Sequence, residues 1–477
     1  MFRRSMAALA FGLCALPALA QAQTMTNLLH TAPEGADLTL QLTDGTVIAQ
    51  SASDGSHWYK LTPDIMGSYQ KGTWSRLPNL QAGYQPYAGA SAVLADGRLI
   101  FEGGEYNPGS TFSLTNLGAI YDPVANTWTP MEPPKGWGFI GDSSSLVLPD
   151  GRYLIGDKIN TKMAAFDPKT NKWHKMGSTG HRKFNSEETW VLLPDGKVLS
   201  MNVKAAPNTQ IYDPASGIWT DAGRTPVKLN APPCCPPEDY GGKRPYAPPG
   251  EIGPALLMPD GSVFATGGTP EGENTAHTAI LKNGVWTQGP DVPNHDDMGD
   301  NFASLLPNGH VVMQGVSGRL YEFDGASTIK VTSFNGAGNS LMVLPTGEVL
   351  VGGQAVYSSP GNPDPSWAPA ITNAPGTVTR GSSFVIKGTQ FNGLSQANSF
   401  GDELQTFTNY PLVRITNNAT HHVFYARTHD HSTMGVATGS LPVSTHVDVP
   451  TGMETGASQM VVVANGIAST PVNVTVN

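Results

Sequence analysis

The sequence has few charged residues and lacks basic clusters, long amphipathic helical patterns and long apolar runs. Only 14% of its residues are charged, and 38 acidic residues outnumber 28 basic ones. Because nucleic-acid binding depends on Lys and Arg that neutralise phosphates, we expect no nucleic-acid partner. No segment reaches the roughly 20 apolar residues of a membrane-spanning helix, so we expect no transmembrane segment. With 54 Gly and 39 Pro, the composition instead predicts an all-β fold of short strands and many turns.

The first residues have the features of an export signal. Arg3 and Arg4 form a basic start, residues 7–16 are apolar, and small residues follow up to Ala22. A positive region, a short apolar stretch and a small-residue cleavage site together indicate a signal peptide. We therefore predict that residues 1–23 are removed and that the protein is periplasmic or secreted.

Cysteine is nearly absent, with three residues in the chain. Cys14 lies in the predicted signal peptide, which leaves the neighbours Cys234 and Cys235. An oxidising compartment favours disulfides, so we predict a bond between these two; the alternative is a pair of thiols in a Pro-rich loop. Loops as long as this one, residues 226–250, are usually functional lids or disordered, and the paired cysteines favour an ordered lid over the ring.

One phrase recurs through most of the chain: an apolar run, a turn ending in Gly, and a second apolar run. Residues 191–199 show it most clearly, and Asp-Gly there predicts two buried strands joined by a two-residue hairpin turn. The copies follow one another at roughly forty to sixty residues, which is the spacing of propeller blades. The turn glycines are Gly45, Gly97, Gly151, Gly196, Gly261, Gly309 and Gly347. We also expect the lead-in at residues 24–37 to supply a strand that closes the ring.

A second signature follows in most copies: Tyr-Asp-Pro (Phe-Asp-Pro before Trp173), a few polar residues, and a Trp. It ends at Trp128, Trp173 and Trp219, and we expect each Trp to fill space between neighbouring blades. Pairs of glycines, such as Gly103 and Gly104, follow the second strand. Together these motifs resemble kelch repeats, as in the propeller of the galactose oxidase and glyoxal oxidase superfamily. The resemblance covers about residues 30–365 and implies a seven-bladed β-propeller over residues 24–367.

The repeat stops after Trp367. Residues 368–477 contain alternating strand patterns, which predict a small β-sandwich. In the oxidase superfamily a similar immunoglobulin-like domain follows the propeller and inserts a histidine into the central channel. The stretch from Arg427 to Met434 resembles the Thr-His loop of that domain, so the resemblance implies His429 or His431 as the inserted residue.

Carboxylates occur at equivalent places in four consecutive repeats. Loops that enter the innermost strand of each blade surround one mouth of the channel, and these residues lie eight to ten positions before the turn glycine. They are Asp142, Glu187 or its neighbour Glu188, Glu251 and Asp300. We predict an acidic site at this mouth; the alternative is that each carboxylate caps a turn by accepting backbone N–H bonds.

The resemblance does not extend to the copper ligands of the oxidases. Where the family has Tyr followed by His, this sequence has Gly299 and Asp300, or Ala337 and Gly338 if the seventh repeat is matched instead. Tyr87 lies near the place of the family's cross-linked Tyr, but no Cys occurs in a neighbouring inner strand. We therefore do not expect copper.

Carboxylates and imidazoles together can serve in two ways. Oxygen-rich sites bind Ca²⁺ or Mn²⁺, and one or two histidines among the ligands shift the preference toward Mn²⁺, Zn²⁺ or Fe²⁺. Asp300, His429 and His431 are the candidate metal ligands. Alternatively, neighbouring carboxyl groups whose pKa values are driven apart supply a general acid and a general base. The candidate catalytic residues are Asp142, Glu187, Glu251, Asp300 and His429.

Two functional classes stay open at this point. The first is an exported protein that acts on or binds a carbohydrate or another polar small molecule, with or without a metal. The second is a non-catalytic glycan-binding or adhesion module. A galactose oxidase-like copper oxidase is a third class, which the missing ligands disfavour. The sequence does not decide between enzyme and binding protein, nor does it give the oligomeric state.

Overall fold

A computed structural model describes residues 22–233, 250–336 and 340–477. Within these ranges the chain forms β-strands joined by turns, with two short 3₁₀ helices at Pro293–His295 and Pro365–Trp367. The all-β prediction is confirmed. The predicted signal peptide up to residue 21 and the Cys234–Cys235 pair lie outside the described residues.

Seven antiparallel blades form a closed ring in the described part of the chain. The first strand after the lead-in is β1 (Thr24–Asn27). Blades 1 to 3 comprise β2 (Thr39–Gln41), β3 (Val47–Gln50), β4 (Trp58–Thr62), β5 (Thr73–Arg76); β6 (Ala90–Val93), β7 (Leu99–Glu102), β8 (Gly118–Asp122), β9 (Thr127–Met131); and β10 (Ser145–Val147), β11 (Tyr153–Gly156), β12 (Met163–Asp167), β13 (Lys172–Met176). Blades 4 and 5 comprise β14 (Thr189–Leu192), β15 (Val198–Met201), β16 (Asn208–Asp213), β17 (Ile218–Arg224); and β18 (Ile252–Leu257), β19 (Val263–Gly267), β20 (Thr278–Lys282), β21 (Val285–Gln288). Blades 6 and 7 comprise β22 (Ala303–Leu305), β23 (Val311–Gln314), β24 (Arg319–Phe323), β25 (Ile329–Asn335); and β26 (Leu341–Val343), β27 (Val349–Val351), β28 (Ala355–Ser358).

The ring closes by pairing the two ends of the propeller. Strand β1 completes blade 7 by pairing antiparallel with β28, with Thr24 opposite Ser358. This confirms the expected closing strand. The first strands of blades 2 to 7 contact one another in succession, and β2 contacts β26 across the closure, so these strands line the channel.

The hairpin that joins the first two strands of each blade differs from the predicted two-residue turn. In blade 4 the Leu193 N–H donates to the Lys197 carbonyl at 2.8 Å, and the Gly196 N–H donates to the Leu193 carbonyl at 2.9 Å. Gly196 has φ 81°, whereas Asp195 is not among the residues with positive φ. A three-residue loop with Gly in the left-handed position is the alternative hairpin geometry. Asp195 accepts the Lys197 N–H at 3.2 Å, which explains its place in the motif.

The tryptophans of the second signature pack between blades, as predicted. Trp128 of blade 2 lies 5.1 Å from Trp58 of blade 1, between ring centroids. Trp219 of blade 4 donates its indole N–H to the Met163 sulfur of blade 3 at 3.3 Å. Large aromatic side chains at these seams bury apolar surface that one blade alone cannot cover.

The remaining residues form a curled nine-stranded sheet, consistent with the predicted β-sandwich. The strands that follow the propeller are β29 (Ala370–Asn373), β30 (Thr377–Val378), β31 (Ser383–Thr389), β32 (Asn398–Ser399), β33 (Leu412–Asn417), β34 (Val423–His429), β35 (Val443–Asp448), β36 (Gly456–Ala464), β37 (Ile467–Ala468) and β38 (Val472–Val476). All of these except β32 belong to this C-terminal sheet, in which β30 pairs parallel with β38.

The C-terminal sheet sits on the end of the ring that carries the hairpin turns, which we call the turn face. Arg427 donates to the Asp96 carbonyl at 2.7 Å, next to the turn glycine of blade 2. The Met434 N–H donates to the Pro149 carbonyl in the turn of blade 3 at 3.0 Å. The opposite end, where the innermost strands begin, is called the mouth.

A single segment of the C-terminal region, residues 391–411, fills the channel and is called the plug. All of its residues are buried except Leu394, which is half-buried. Its strand β32 adds a fifth strand to blade 6, with Ser399 opposite Ala303. Its polar groups pair with the innermost strands of other blades as well: the Leu192 N–H donates to the Gln396 side chain at 2.9 Å.

Further bonds of the same kind tie the plug to blades 1, 2, 5 and 7. The partners are Gln41 with Tyr410, Ser91 with Gln405, Ala255 with Ser399, and Val343 with Asn398. Because each bond satisfies a buried backbone or side-chain group, the position of the plug in the channel is fixed from several sides.

No helix within the described ranges is long and apolar enough to cross a membrane.

Asn398→Ala tests how strongly the plug holds the ring together. The side chain accepts from the Val343 N–H at 2.9 Å and the Ser304 hydroxyl at 2.7 Å, and it donates to the Thr406 carbonyl at 2.8 Å. An unsatisfied buried group costs about 1–3 kcal/mol, so we expect the free energy of unfolding to fall by about 3 kcal/mol or more in urea titrations. Asn473→Ala, at an exposed position of β38, is the control and should change it by less than about 0.5 kcal/mol. A loss no larger than the control's would contradict the role of the plug.

Candidate functional site

The four predicted carboxylates lie together at the mouth. Each precedes the innermost strand of its blade: Asp142 comes before β10, Glu187 before β14, Glu251 before β18 and Asp300 before β22. Because these strands run from the mouth toward the turn face, the residues that precede them surround one opening. Their convergence is therefore a consequence of the blade repeat.

Lys158 is at the centre of the buried part of this site. Its ammonium group contacts Asp142 and lies 2.6 Å from Glu187 and 3.6 Å from Asp402. The side chains of all four residues are at least nine-tenths buried. A buried ammonium needs several carboxylates to compensate its desolvation, and here three different parts of the chain supply them.

Asp402 and Glu403 come from the plug, which carries them through the channel to the mouth. One carboxylate oxygen each of Asp300, Asp402 and Glu403 lies within 4.8 Å of the other two. Asp142, Glu187 and Asp402 form a second such group, so Asp402 belongs to both. We call the six residues Asp142, Glu187, Glu251, Asp300, Asp402 and Glu403 the mouth carboxylates.

Two of the mouth carboxylates have backbone angles in the left-handed region. Glu187 has φ 53° and Asp300 has φ 47°. The left-handed region costs a residue with a Cβ roughly 1–2 kcal/mol, and such strain concentrates at functional positions. In this conformation both side chains belong to the mouth carboxylates, a role that a glycine, the residue usually preferred at such angles, could not fill.

Burial and mutual repulsion raise the pKa values of Asp142, Glu187, Glu251, Asp300 and Glu403. Burial raises the pKa of Glu187 to about 8, against the opposing effect of the Lys158 ammonium. Burial raises the pKa of Glu251 far above its usual value, and the neighbouring Glu187 and Asp300 add to the effect. Asp300 keeps contact with solvent, but the walls of the mouth partly desolvate it, and its pKa is raised as well. Glu187 and Glu251 therefore hold their protons near neutral pH.

Glu188, the alternative to Glu187, has a structural role. Its side chain is fully buried and accepts bonds from Ser200 at 2.7 Å and Asn202 at 2.8 Å. His181 lies 3.1 Å from the same carboxylate. Because side chains, and not the backbone N–H groups of the turn-capping alternative, pair its oxygens, Glu188 is a structural residue, whereas Glu187 belongs to the site.

The expectation that His429 or His431 enters the channel is wrong. His429 ends β34 and pairs across to β35, with its ring next to Asp430 and Asp448. His431 is buried against Tyr410, and its backbone N–H donates to the Ala95 carbonyl in a turn of blade 2. Both histidines thus lie at the turn face, the opposite end from the mouth. The metal group of Asp300, His429 and His431 does not form, because the plug, which comes earlier in the chain, takes the place in the channel.

Sequence reasoning missed Lys158, Asp402 and Glu403. Lys158 lies seven residues after the turn glycine Gly151 of its repeat, just beyond β11, which runs back to the mouth. Counting forward from the turn glycines, as well as backward, would have found it together with Glu105 and Lys204. Asp402 and Glu403 cannot be found by counting from a turn glycine, because the plug is not part of any repeat.

Comparisons with known proteins agree with the fold. No protein-family model and no curated protein matches the chain. Among solved structures, a fungal alcohol oxidase of the AA5 family, in complex with copper, is 15% identical, covers 96% of this chain and 100% of its own, and has a TM-score of 0.51. Virginiamycin B lyase from Staphylococcus aureus is 10% identical over 70% of this chain and 97% of its own, with a TM-score of 0.46. The likeness to the alcohol oxidase supports an oxidase-like propeller fold, and identity this low shows the fold alone.

Glu187→Gln should weaken the pH dependence of stability. Its pKa is raised from a usual value near 4.5 to about 8 in the folded protein, so the folded state holds the proton that the unfolded state has lost. Its contribution to stability is present below about pH 4.5 and is lost as the pH rises to about 8, by at most about 1.4 kcal/mol per pH unit. The free energy of unfolding in urea, measured in EDTA at pH 5 and pH 8, should differ less in the variant than in the native protein.

The exposed Glu271 provides the matched control for this measurement. Glu271→Gln should leave the difference between pH 5 and pH 8 unchanged. An equal difference in the native protein and Glu187→Gln would contradict the raised pKa.

Proposed function

We propose that the protein binds a divalent cation, Ca²⁺ or Mn²⁺, through Asp300, Asp402 and Glu403, and with it a carbohydrate or another polyhydroxylated small molecule. The observation that carries the proposal is the approach of one oxygen from each of these residues to within 4.8 Å of the others. Carboxylate oxygens are the ligands of hard cations, and this group contains no imidazole that would favour Zn²⁺. We also propose that the protein is exported, because residues 1–23 have the features of a signal peptide.

The charge balance of the mouth supports a bound cation. Among the described residues, carboxyl groups that influence one another outnumber the ammonium groups of Lys158 and Lys204 beside them. These carboxyl groups are those of Glu105 and the mouth carboxylates. Without another cation such a group must keep protons, as the raised pKa values indicate. A divalent ion would replace those protons and remove the repulsion.

The hydrogen bonding of the buried carboxylates points to the same place. Asp402 Oδ2 and Asp142 Oδ1 are buried and accept no hydrogen bond. A buried carboxylate oxygen without a donor costs free energy, and the Lys158 ammonium, 3.6 Å from Asp402 Oδ2, offsets that cost only as a long ion pair. Since Asp402 belongs to both carboxylate groups, a cation in the outer group would add to this compensation.

The position of Lys158 leaves only one of the two carboxylate groups open to a metal ion. Its ammonium sits within the inner group of Asp142, Glu187 and Asp402, where it acts as a built-in cation. The outer group of Asp300, Asp402 and Glu403 faces the mouth, and Asp300 there is exposed. The outer group is thus the one that a soluble ion can reach.

The donor set of the mouth does not fit the copper site that the family resemblance implies. Radical copper chemistry in that family uses imidazole and phenolate ligands and a cross-linked Tyr-Cys pair. Among the described residues, the groups that converge here are carboxylates and ammonium groups, with the phenol of Tyr106 nearby and no imidazole in either carboxylate group. Hard oxygen donors favour Ca²⁺ or Mn²⁺ over copper, so no copper-dependent step is part of the proposal.

The surroundings of the outer group suit a polyhydroxylated ligand. Carboxylates accept hydrogen bonds from hydroxyl groups, and a bound cation can coordinate two of them at once. Tyr106 is half-exposed, and the charges of Asp142 and Asp300 contribute to raising the pKa of its phenol. Its ring therefore lies near the mouth. Aromatic faces beside carboxylates are a combination that binds sugar rings.

A second use of the site, acid catalysis, is favoured by Glu251. Its pKa is raised mainly by burial and further by the carboxylates around it, so that it carries a proton at neutral pH. A protonated carboxyl group next to ionised ones can donate its proton to a leaving oxygen of the ligand. This would make the protein an enzyme rather than a binding module.

Cation binding is tested by thermal and urea unfolding with Ca²⁺, with Mn²⁺ and with EDTA. A ligand at 100 times its Kd stabilises the folded state by about 2.7 kcal/mol, and we expect this gain in the native protein. Asp402→Asn keeps the shape but removes the shared charge, and should abolish the gain. Glu271→Gln should retain it. A native protein that is equally stable with metal and with EDTA would refute the proposal.

Glu251→Gln separates an enzyme from a binding module. The variant keeps the three proposed ligands, so cation binding should persist. If the protein hydrolyses an oligosaccharide, release of reducing ends should fall by about 10²–10⁴-fold, the usual contribution of a general acid. If native protein and variant bind the same oligosaccharides in calorimetry and release no reducing ends, the acid role of Glu251 is excluded.

A further inference from the structure

We propose that His429, His446 and Asp430 form a second metal site, specific for a transition-metal ion such as Zn²⁺, on the C-terminal sheet. One ligand atom from each of the three lies within 4.8 Å of the others. The site is independent of the proposed function at the mouth, since it lies at the turn face and shares no residue with the mouth carboxylates.

The two histidines are direct cross-strand neighbours. His429 of β34 pairs with His446 of β35, so their side chains project from the same face of the sheet. Residues opposite each other on antiparallel strands have Cβ atoms about 4.5–5.5 Å apart. The rings lie 5.4 Å apart between centroids and are tilted by only 20°. Two imidazoles on a rigid pair of strands form a bidentate site that needs no change of the backbone.

Asp430 supplies the third ligand from the end of the strand. Its backbone adopts φ 49°, which turns the chain just after His429. Its carboxylate lies 2.8 Å from His429 Nδ1. The side chain is exposed, so it can move toward an ion at little cost. Ligand atoms around tetrahedral Zn²⁺ lie about 3.4 Å apart, so side-chain rotations of an ångström or so would complete the set.

The charges around the site also favour a cation. Asp448 Oδ1 lies 3.1 Å from His429 Nε2 and is a second carboxylate next to the same ring. Arg427 opposes a cation, but its guanidinium is engaged by Asp448 Oδ2 at 3.0 Å and by the Asp96 carbonyl. A carboxylate that holds the free ring nitrogen of a metal-bound histidine orients the ring and strengthens its binding.

The donor types select the class of metal. Two imidazoles with one or two carboxylates suit Zn²⁺, Ni²⁺ or Cu²⁺ rather than the Ca²⁺ or Mn²⁺ proposed for the mouth. His277 is a comparable histidine that also contacts two carboxylates but lacks a second imidazole. It lies 2.5 Å from Glu273 and 2.7 Å from Asp291, yet it forms no metal group with a second imidazole in the described residues. It is therefore the matched control.

The test is calorimetric titration of the full mature chain with Zn²⁺, combined with the visible absorption of the Co²⁺ form. We expect about one equivalent of Zn²⁺ to bind, and nitrogen-ligated d–d bands with Co²⁺ that Zn²⁺ displaces. His429→Ala and His446→Ala should each weaken Zn²⁺ binding at least tenfold and remove the Co²⁺ bands. His277→Ala should leave both unchanged. Asp402→Asn should also leave them unchanged, so a failure at the mouth and a failure here are distinguishable.

The proposal is overturned if native protein shows no Zn²⁺ binding and no Co²⁺ bands. It is also overturned if His446→Ala binds Zn²⁺ as tightly as native protein. Should His429→Ala fail to fold, the Co²⁺ spectrum of native protein and the titration of His446→Gln still decide the matter.

Discussion

The plug is the constraint on which the rest of the structure depends. A propeller of this size leaves a channel on its axis, and residues 391–411 of the C-terminal region fill it. The polar side chains of the plug satisfy the innermost strands of blades on all sides, and its tip presents Asp402 to Lys158. The same segment therefore holds the C-terminal sheet on the ring, closes the channel, and completes the carboxylate group at the mouth. The plug is therefore needed both for the fold and for the carboxylate site.

The site itself follows from an imbalance of charge that the fold imposes. Equivalent positions in neighbouring blades bring carboxylates together whether or not their charges are compensated. Lys158 compensates the inner group, while the outer group of Asp300, Asp402 and Glu403 keeps its excess. Desolvation then makes ionisation costly, which is why the pKa values of Asp300 and Glu403 rise. A cation that replaces protons is the simplest use of such an arrangement, and it gives a physical reason for acidic residues at a buried position.

The sequence was sufficient for the parts of the protein that repeat. Turn glycines such as Gly196 gave the number of blades, and counting back from them found Asp142, Glu187, Glu251 and Asp300, because blades repeat in space as they do in sequence. It failed where the chain does not repeat. Asp402 reaches the mouth only through long-range pairing of the plug with strands far away in sequence, which no local pattern records. His429 was assigned to the channel by resemblance, whereas pairing of its strand with β35 keeps it at the turn face.

The most direct test of the central claim is anomalous X-ray scattering from crystals of the protein equilibrated with Mn²⁺. We predict an anomalous peak within coordination distance of Asp300, Asp402 and Glu403 at the mouth, and its absence from crystals of Asp402→Asn. A map at saturating Mn²⁺ without a peak among these three carboxylates would contradict the account.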